Sequence, residues 1–454
     1  MSLHKDISAE TIFALATPPG RSAIAIIRLS GPSALDALDL FHVKPSYNRE
    51  MRFVRLQLDD GSVLDEVMCL SFPAANSPTG EAVLEIHCHG SPAVIAAITD
   101  RLAKADEYRP AAAGEFSRRA LDNGKMTISE VEGLADLIDA DTESQRRQAS
   151  RQISGVLHKA AQAWRLSLIA LNAELAAIID FADEELPTSI LDRLQQTSRR
   201  LLSLLGQHLD DGHVGEIIRD GVEIALIGPV NAGKSTTLNA LAKRPAAIIS
   251  DQAGTTRDVI EVHLDIEGIS VTVRDTAGYR ETDDVVEGEG ILRAKAAAGS
   301  AHLVIIVLDI SDPDWPNHYQ ALLAWGVADH IVIANKADKL DTQIQGLPEQ
   351  ALLLALGSAN ADRDIAKLEA YLWQSLSYLQ SAEEAPLITR ARHRHAIETA
   401  VSALTDALSL DVTSTPELVA EEYRRAADAL GRLTGDVDIE DLLDHIFTAF
   451  CIGK

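Results

Sequence analysis

The chain has 454 residues, of which 46% are apolar and 24% charged, and its formal charge is −27. One hydrophobic core stops growing well below this length, so two to four domains are expected, in a globular rather than a disordered protein. No run approaches the roughly 20 apolar residues of a membrane span, and the charge disfavours nonspecific nucleic-acid binding, which needs a positive face.

The first residues, Met1-Ser2-Leu3-His4-Lys5-Asp6-Ile7, have neither a signal peptide's apolar centre nor a transit peptide's arginines. A cytoplasmic protein with no membrane attachment is expected. Cys69, Cys88 and Cys451 are far apart and odd in number, which speaks against a disulfide framework. Two basic clusters, Arg146-Arg147 with Arg151 and Arg390 to Arg394, read as solvated helix faces.

Residues 1–122 alternate short apolar runs with turn signals. The runs are Ala23 to Ile27, Met51 to Leu58, Val67 to Phe72 and Ala82 to His87, with Asp59-Asp60-Gly61 as a hairpin turn and a helix over Pro92 to Lys104. This is an α+β unit. His87 and His89 share one strand face and Cys88 the other, which does not make a metal site.

The period then changes. Leu157, Ala161, Trp164, Leu168, Leu171, Leu175 and Ile178 form a 4-3 seam on a long helix, and Leu191, Leu194, Leu201 and Leu205 continue in helical style. Thr415-Pro416-Glu417 starts another helix, with Leu418, Glu422, Ala426, Ala429 and Leu433 as its expected stripe. Residues 123–216 and 379–454 are therefore expected to form one discontinuous helical bundle. Between them, residues 217–378 alternate buried-type strands with helices: Val222 to Ile227, Ile269 to Arg274, His302 to Leu308, His330 to Ala334 and Ala351 to Leu356. That is an α/β domain with a mostly parallel sheet. The fold class is thus multidomain, α+β, α and α/β together.

The inserted domain carries the chemistry. Gly228-Pro-Val-Asn231-Ala232-Gly233-Lys234-Ser235 follows an apolar strand and leads into a helix at Thr236. Its glycines let backbone amides face phosphate oxygens, Lys234 can reach the β and γ groups, and the Ser235 hydroxyl can ligate Mg²⁺. Asp251-Gln252-Ala253-Gly254-Thr255-Thr256 suits a first switch, in which Thr256 completes the Mg²⁺ shell. Asp275-Thr276-Ala277-Gly278 follows a strand, its carboxylate placed to hold a metal-bound water and the Gly278 amide to sense the γ-phosphate. Asn335-Lys336-Ala337-Asp338 ends another strand, and Asp338 can accept from guanine's ring N–H and exocyclic amine. Ser358-Ala359 is expected near the guanine O6. GTP and GDP are the ligands this spacing selects. Tyr279 stands where Ras-like GTPases place the water-orienting glutamine, so another group must serve.

These motifs, with Pro18-Pro19-Gly20-Arg21, Gly80 to Glu85, Gly114-Glu115-Phe116 and the ending Cys451-Ile452-Gly453-Lys454, resemble the tRNA modification GTPases of the MnmE (TrmE) family over nearly the whole chain. The resemblance implies a homodimer whose N-terminal α+β domain binds a tetrahydrofolate derivative, 5,10-methylene or 5-formyl. It implies a heterotetramer with the flavoprotein MnmG and modification at C5 of the wobble uridine of certain tRNAs with an aminomethyl or carboxymethylaminomethyl group. Hydrolysis is then K⁺-stimulated, with the cation held by Asn231 and the loop containing Ser250, Gln252 and Thr255. Glu287 corresponds to the catalytic carboxylate that positions water. Arg28, Glu85, Lys125 and Lys454 correspond to folate-contacting positions, and Cys451 to a cysteine tied to the modification. Ser250 replaces a frequent threonine, and Pro229 a frequent arginine. Ribosome-assembly GTPases of the Era or Der kind and self-assembling GTPases of the septin or dynamin kind share the switches, but not the N-terminal unit and the tail.

Overall fold

The structure is a computed structural model. It describes residues 10–180, 188–244, 246–247, 261–275, 285–327, 330–339, 346–348, 350–358, 361–379, 386–435, 446–447 and 453, without the side chains of 177, 180, 188, 189 and 285–290. The chain divides into two compact units, the first comprising Met1–Ala135, Gln152–Ser198 and Ser402–Lys454, the second Asp136–Arg151 and Arg199–Val401.

In chain order the elements are β1 (Thr11–Leu15), β2 (Ser22–Ser30), β3 (Glu50–Gln57), β4 (Val63–Phe72), β5 (Val83–Gly90), α1 (Pro92–Ala103), β6 (Tyr108–Pro110) and α2 (Glu115–Asp122). Four helices follow: α3 (Ile128–Ile138), α4 (Glu143–Ile153), α5 (Val156–Asp180) and α6 (Thr188–Leu209). Then come α7 (Val214–Asp220), β7 (Val222–Ile227), α8 (Lys234–Ala242), β8 (Glu261–Ile266), β9 (Ile269–Asp275), α9 (Val285–Ser300), β10 (Leu303–Asp309), α10 (Trp315–Leu323) and β11 (His330–Asn335). The last are β12 (Leu352–Leu353), α11 (Ala361–Leu376), α12 (Ala391–Ser409) and α13 (Pro416–Thr434).

The first unit holds a six-stranded sheet in the order β3-β4-β5-β2-β1-β6. Its pairs are antiparallel except β1 with β6. The period of two decides which side is buried: Ala25, Ile27 and Leu29 of β2 join Leu84, Ile86 and Cys88 of β5 under α1, whose Ile98 and Leu102 are fully buried. The helical seam is realised as read, with all seven positions from Leu157 to Ile178 at 5% exposure or less. A buried bond of 2.8 Å between the hydroxyls of Ser198 on α6 and Tyr423 on α13 joins the two helical stretches.

Thr415 occupies the N-cap position of α13, although its hydroxyl bonds back to the Asp411 carbonyl. The expected stripe holds at Ala426, Ala429 and Leu433, which are buried, and needs correcting only over its first turn. Leu418 is 54% exposed, and the buried face runs through Val419, Tyr423, Ala426, Leu430 and Leu433. A start one residue later keeps the large Tyr423 inward and leaves Glu422 half-buried.

A buried ionic cluster fixes α2 to the sheet. Arg119, 3% exposed, donates to the Glu10 carbonyl (3.0 Å), to Glu81 (2.9 Å) and to Glu115 (3.0 Å). Arg109 adds two bonds to Glu115, at 2.6 and 2.8 Å. Burial alone would raise the Glu115 carboxyl. The bonds from Arg109, the Ala112 amide and Arg119 outweigh it and hold the group below its usual range.

Because the folded value is depressed, the stabilisation is complete above pH 4.5, the group's ordinary value, and is lost as pH falls through the folded value. Glu115→Gln is expected to cost about 3 kcal/mol in urea denaturation at pH 7, since it leaves the buried Arg119 and the half-buried Arg109 underpaired. The gap between variant and parent narrows as the pH is taken below 4.5.

The second unit holds a sheet in the order β12-β11-β10-β7-β9-β8. All neighbours are parallel except the edge strand β8, which pairs antiparallel with β9. Both faces are covered, as continuous apolar strands require. Ile224, Leu226, Ile305, Val307 and Ile333 face Leu238 and Leu241 of α8 and Leu368 and Leu372 of α11. Alternate residues Ala225, Ile227, Val304, Ile306 and Leu308 face Trp315 and Leu322 of α10.

The strand expected over Ala351 to Leu356 pairs only as Leu352–Leu353. Beyond it the amides of Ala355 and Leu356 turn to the side chains of Asp364 and Asn335 instead of a ladder. No described helix is long and apolar enough to cross a membrane.

Candidate nucleotide site

The loop after β7 is shaped by its glycines. Gly228 has φ 155°, and a Cβ there would stand 2.2 Å from the Val307 carbonyl oxygen. Gly233 has φ 107°, and its Cβ would stand 2.0 Å from Asn335 Nδ2. Asn231 takes φ 65°, a left-handed value that asparagine tolerates. The chain can therefore pass close beneath the neighbouring strand ends and enter α8 at Lys234.

Lys234 is buried and donates to the carbonyls of Gly228 (2.9 Å) and Pro229 (3.0 Å). An ammonium has three donors, so the third is left for a phosphate oxygen. Burial pushes this ammonium below its ordinary value, and the charge of Asp275 partly offsets that. Ser235 donates to Asp275 Oδ2 at 2.7 Å, while Asp275 Oδ1 is buried and has no hydrogen-bond partner among the described residues. A hydroxyl beside a carboxylate with an unused buried oxygen fits a Mg²⁺ ion, a hard cation with oxygen ligands.

A cleft of about 450 Å³ brings the phosphate loop and the second motif together, lined among others by Asn231, Gly233, Ser235, Asn335, Lys336 and Asp338. Asn335, 2% exposed, donates to the Ala232 carbonyl at 2.9 Å. Lys336, at φ 62°, donates to the Asn231 carbonyl (2.9 Å) and to Asp309. Burial raises the Asp309 carboxyl, and its bonds from Lys336 and Ser311 override this and leave it below the usual range. Asp338 is exposed in the cleft wall. Ser358 folds back, its amide and hydroxyl both donating to the Ala355 carbonyl at 2.9 and 2.7 Å.

A larger cleft, of about 870 Å³, opens at the other ends of the strands, by His302 and His330. Ligands of open α/β sheets bind beyond the carboxyl ends of the strands, and only the smaller cleft lies there.

Several predicted residues lie outside the described ones: Ser250 to Thr256, Thr276, Ala277, Gly278, Ala359, Cys451, Lys454 and the side chain of Glu287 on α9. In the first unit Arg28 and Glu85 are cross-strand partners with an ion pair at 2.9 Å, and the Arg28 guanidinium lies over the Phe116 ring at 5.9 Å. Lys125 donates to the Ala75 carbonyl at 3.3 Å. Gly453 packs so closely on β1 that a Cβ would stand 2.3 Å from the Leu15 oxygen. His87 meets Glu85, His89 meets Asp65, and Cys88 is buried on the opposite face, its thiol pushed up to about 11.

The two basic clusters are met by the chain's own acids. Arg146 and Arg147 bond Glu143, Arg390 bonds Asp136, and Arg394 bonds Asp211 and Glu216. Sequence reasoning passed over Asp309 and Asp364. Asp309 was findable as the first polar residue after the apolar run of β10.

The profile of the MnmE helical domain matches residues 128–451, and that of the GTP-binding protein TrmE N-terminus matches residues 11–125. The chain belongs to the MnmE family of tRNA modification GTPases. The tRNA modification GTPase MnmE of Parvibaculum lavamentivorans is 46% identical over 448 residues, 98% of this chain and 100% of that protein. The protein of the same name from Paramagnetospirillum magneticum is 45% identical over 447 residues, again 98% and 100%. Among solved structures, Era from Aquifex aeolicus bound to GDP and aluminium fluoride is 26% identical, covering 40% of this chain and 67% of that one with a TM-score of 0.27. The chain is a GTP hydrolase, as its MnmE-family relatives are named.

Gly233→Ala tests the packing of the MnmE-type phosphate loop. Its Cβ cannot share space with the Asn335 amide, and φ 107° strains any side chain. Calorimetry should show GDP affinity reduced by about fivefold to 150-fold, from the roughly 1–3 kcal/mol such strain costs.

Proposed function

We propose that this chain is a homodimeric, cytoplasmic GTPase that works with the flavoprotein MnmG to install the aminomethyl or carboxymethylaminomethyl group at C5 of the wobble uridine of certain tRNAs. The observation that carries the reading is the cleft that joins the phosphate loop to Asn335, Lys336 and Asp338. Residues 217–378 act as the nucleotide domain, inserted between the helical stretches 123–216 and 379–454, and residues 1–122 form the folate-binding and dimerisation domain.

In this reading Lys234 and the amides of the loop hold the β and γ phosphates. Ser235 and Thr256 hold Mg²⁺, and the carboxylate of Asp275 holds a metal-bound water. Asn231, with Ser250, Gln252 and Thr255, holds K⁺, and Glu287 positions the attacking water. The two cations supply positive charge where negative charge builds up between the phosphates. Arg28, Glu85, Lys125 and Lys454 contact the tetrahydrofolate derivative. The Arg28–Glu85 pair supports this, because a carboxylate can take two donors from the amidine edge of a pterin and a guanidinium can pair with a glutamyl carboxylate. Cys451 takes part in the modification step.

Wobble-nucleoside analysis of tRNA from cells lacking the protein tests the whole proposal. The C5-modified uridines should disappear and return with the intact gene, and an unchanged nucleoside profile overturns it. GTP turnover by the purified chain should rise in K⁺ over Na⁺ at equal ionic strength. Glu287→Ala should abolish turnover and leave GTP affinity intact, whereas lost affinity assigns Glu287 a structural role.

A further inference from the structure

We infer that Asp364 is a positioning residue for the guanine end of the cleft: its buried carboxylate fixes the 355–358 loop, and through it Ser358. The inference rests on the reading of this cleft as a guanine-nucleotide site.

Asp364 is the fourth residue of α11 and is only 6% exposed. Its Oδ2 accepts the Ala355 amide at 2.8 Å, and its Oδ1 accepts the Lys367 ammonium at 2.7 Å. The Ala355 carbonyl in turn accepts both the amide and the hydroxyl of Ser358. One peptide unit is thus gripped on its N–H side by α11 and on its C=O side by the residue expected near O6.

The flanking residues are tied down as well. Leu354 exchanges bonds with the Ala334 carbonyl and the Ala337 amide, and the Leu356 amide points to Asn335 Oδ1 at 3.4 Å. Gly357, next in line, lines the cleft.

A helix-stabilising role alone does not account for the burial. An acidic residue in the first turn complements the helix dipole from an exposed position, and Asp362 already does this on the solvent side of the same turn. The Lys367 partner is 46% exposed, and pairs so open contribute little. What needs a buried acceptor is Ala355, 8% exposed, whose amide alternates away from the β11 ladder, on the edge side of β12. Burial pushes the Asp364 carboxyl up, and the bonds from Lys367 and Ala355 more than reverse it, so the group stays ionised as an acceptor.

The test is steady-state hydrolysis by the full chain in K⁺ buffer, with GTP, inosine triphosphate and ATP as substrates. Asp364→Ala should raise KM for GTP and for inosine triphosphate together by about tenfold, because both carry the 6-oxo group and an unpaired amide frees the loop. The kcat at saturating GTP should stay within about twofold, and the preference for GTP over ATP should shrink by the same tenfold. Asp364→Asn, which keeps an oxygen facing Ala355, should recover most of the loss. Lys367→Met, which keeps the carboxylate, should leave KM unchanged.

A lower unfolding temperature with unaltered KM and base preference would show that Asp364 only braces the helix, and would overturn the inference. If Asp364→Ala does not fold, the pair Asp364→Asn and Lys367→Met decides: equal KM shifts in both place the effect on the ion pair and overturn it, while a small shift in Asp364→Asn alone upholds it. A parent chain that takes ATP as readily as GTP would instead overturn the reading of the cleft itself.

Discussion

The rim of the nucleotide cleft is held together first by a buried side-chain bond, from Asn335 Nδ2 to the Ala232 carbonyl. β7 and β11 are not neighbours in the sheet, since β10 lies between them. The loop after β7 and the loop after β11, to which the proposed function gives the phosphates and the base, would otherwise be held apart only by the sheet. The buried amide spans β10 and fixes the distance, and Lys336 repeats the link by reaching Asn231 and Asp309, the last residue of β10. Three strand ends are tied into one rim. The glycine at 233 follows from this, because a side chain there would occupy the space of the amide that makes the bond.

Electrostatics sort the rest of the surface. The chain is strongly acidic, and in one of its basic clusters Arg390 and Arg394 are spent on largely buried intramolecular pairs with Asp136, Asp211 and Glu216. Phosphate binding gains its free energy by releasing counterions from cations that are otherwise unpaired. Arginines already bonded to carboxylates contribute little of that. In the proposed function, the electrostatic part of tRNA recognition therefore falls to other residues of the chain or to the partner flavoprotein.

Much of this was legible from periodicity alone. The 4-3 seam of α5 is set by where apolar side chains recur, and its burial follows recurrence, whereas on β3 the recurring Met51 and Phe53 are exposed. The phosphate loop was legible for a different reason: its glycines and lysine are required by local backbone shape, which the sequence states directly. The stripe of α13 was right at Ala426, Ala429 and Leu433 and misplaced by one residue only at its start, because Leu418 and Val419 are adjacent and equally apolar, and the position of Tyr423 against Ser198 chooses between them.

Asp309 and Asp364 were harder to see, and for a common reason. Each acts by accepting a bond from one group far along the chain or across a turn, Lys336 in one case and the Ala355 amide in the other. Such bonds have no period and no fixed spacing. A sequence shows that a carboxylate stands at a strand end or in a helix's first turn, where solvent and the helix dipole already account for it. Which backbone amide lacks a partner emerges only when the strand is seen to stop early, as β12 does after Leu353. The amide beyond the ladder, more than the acid, marks where such a bond is needed. In an α/β nucleotide fold, the residues that set the base pocket are therefore best sought by asking where the last ladder bond of each strand goes.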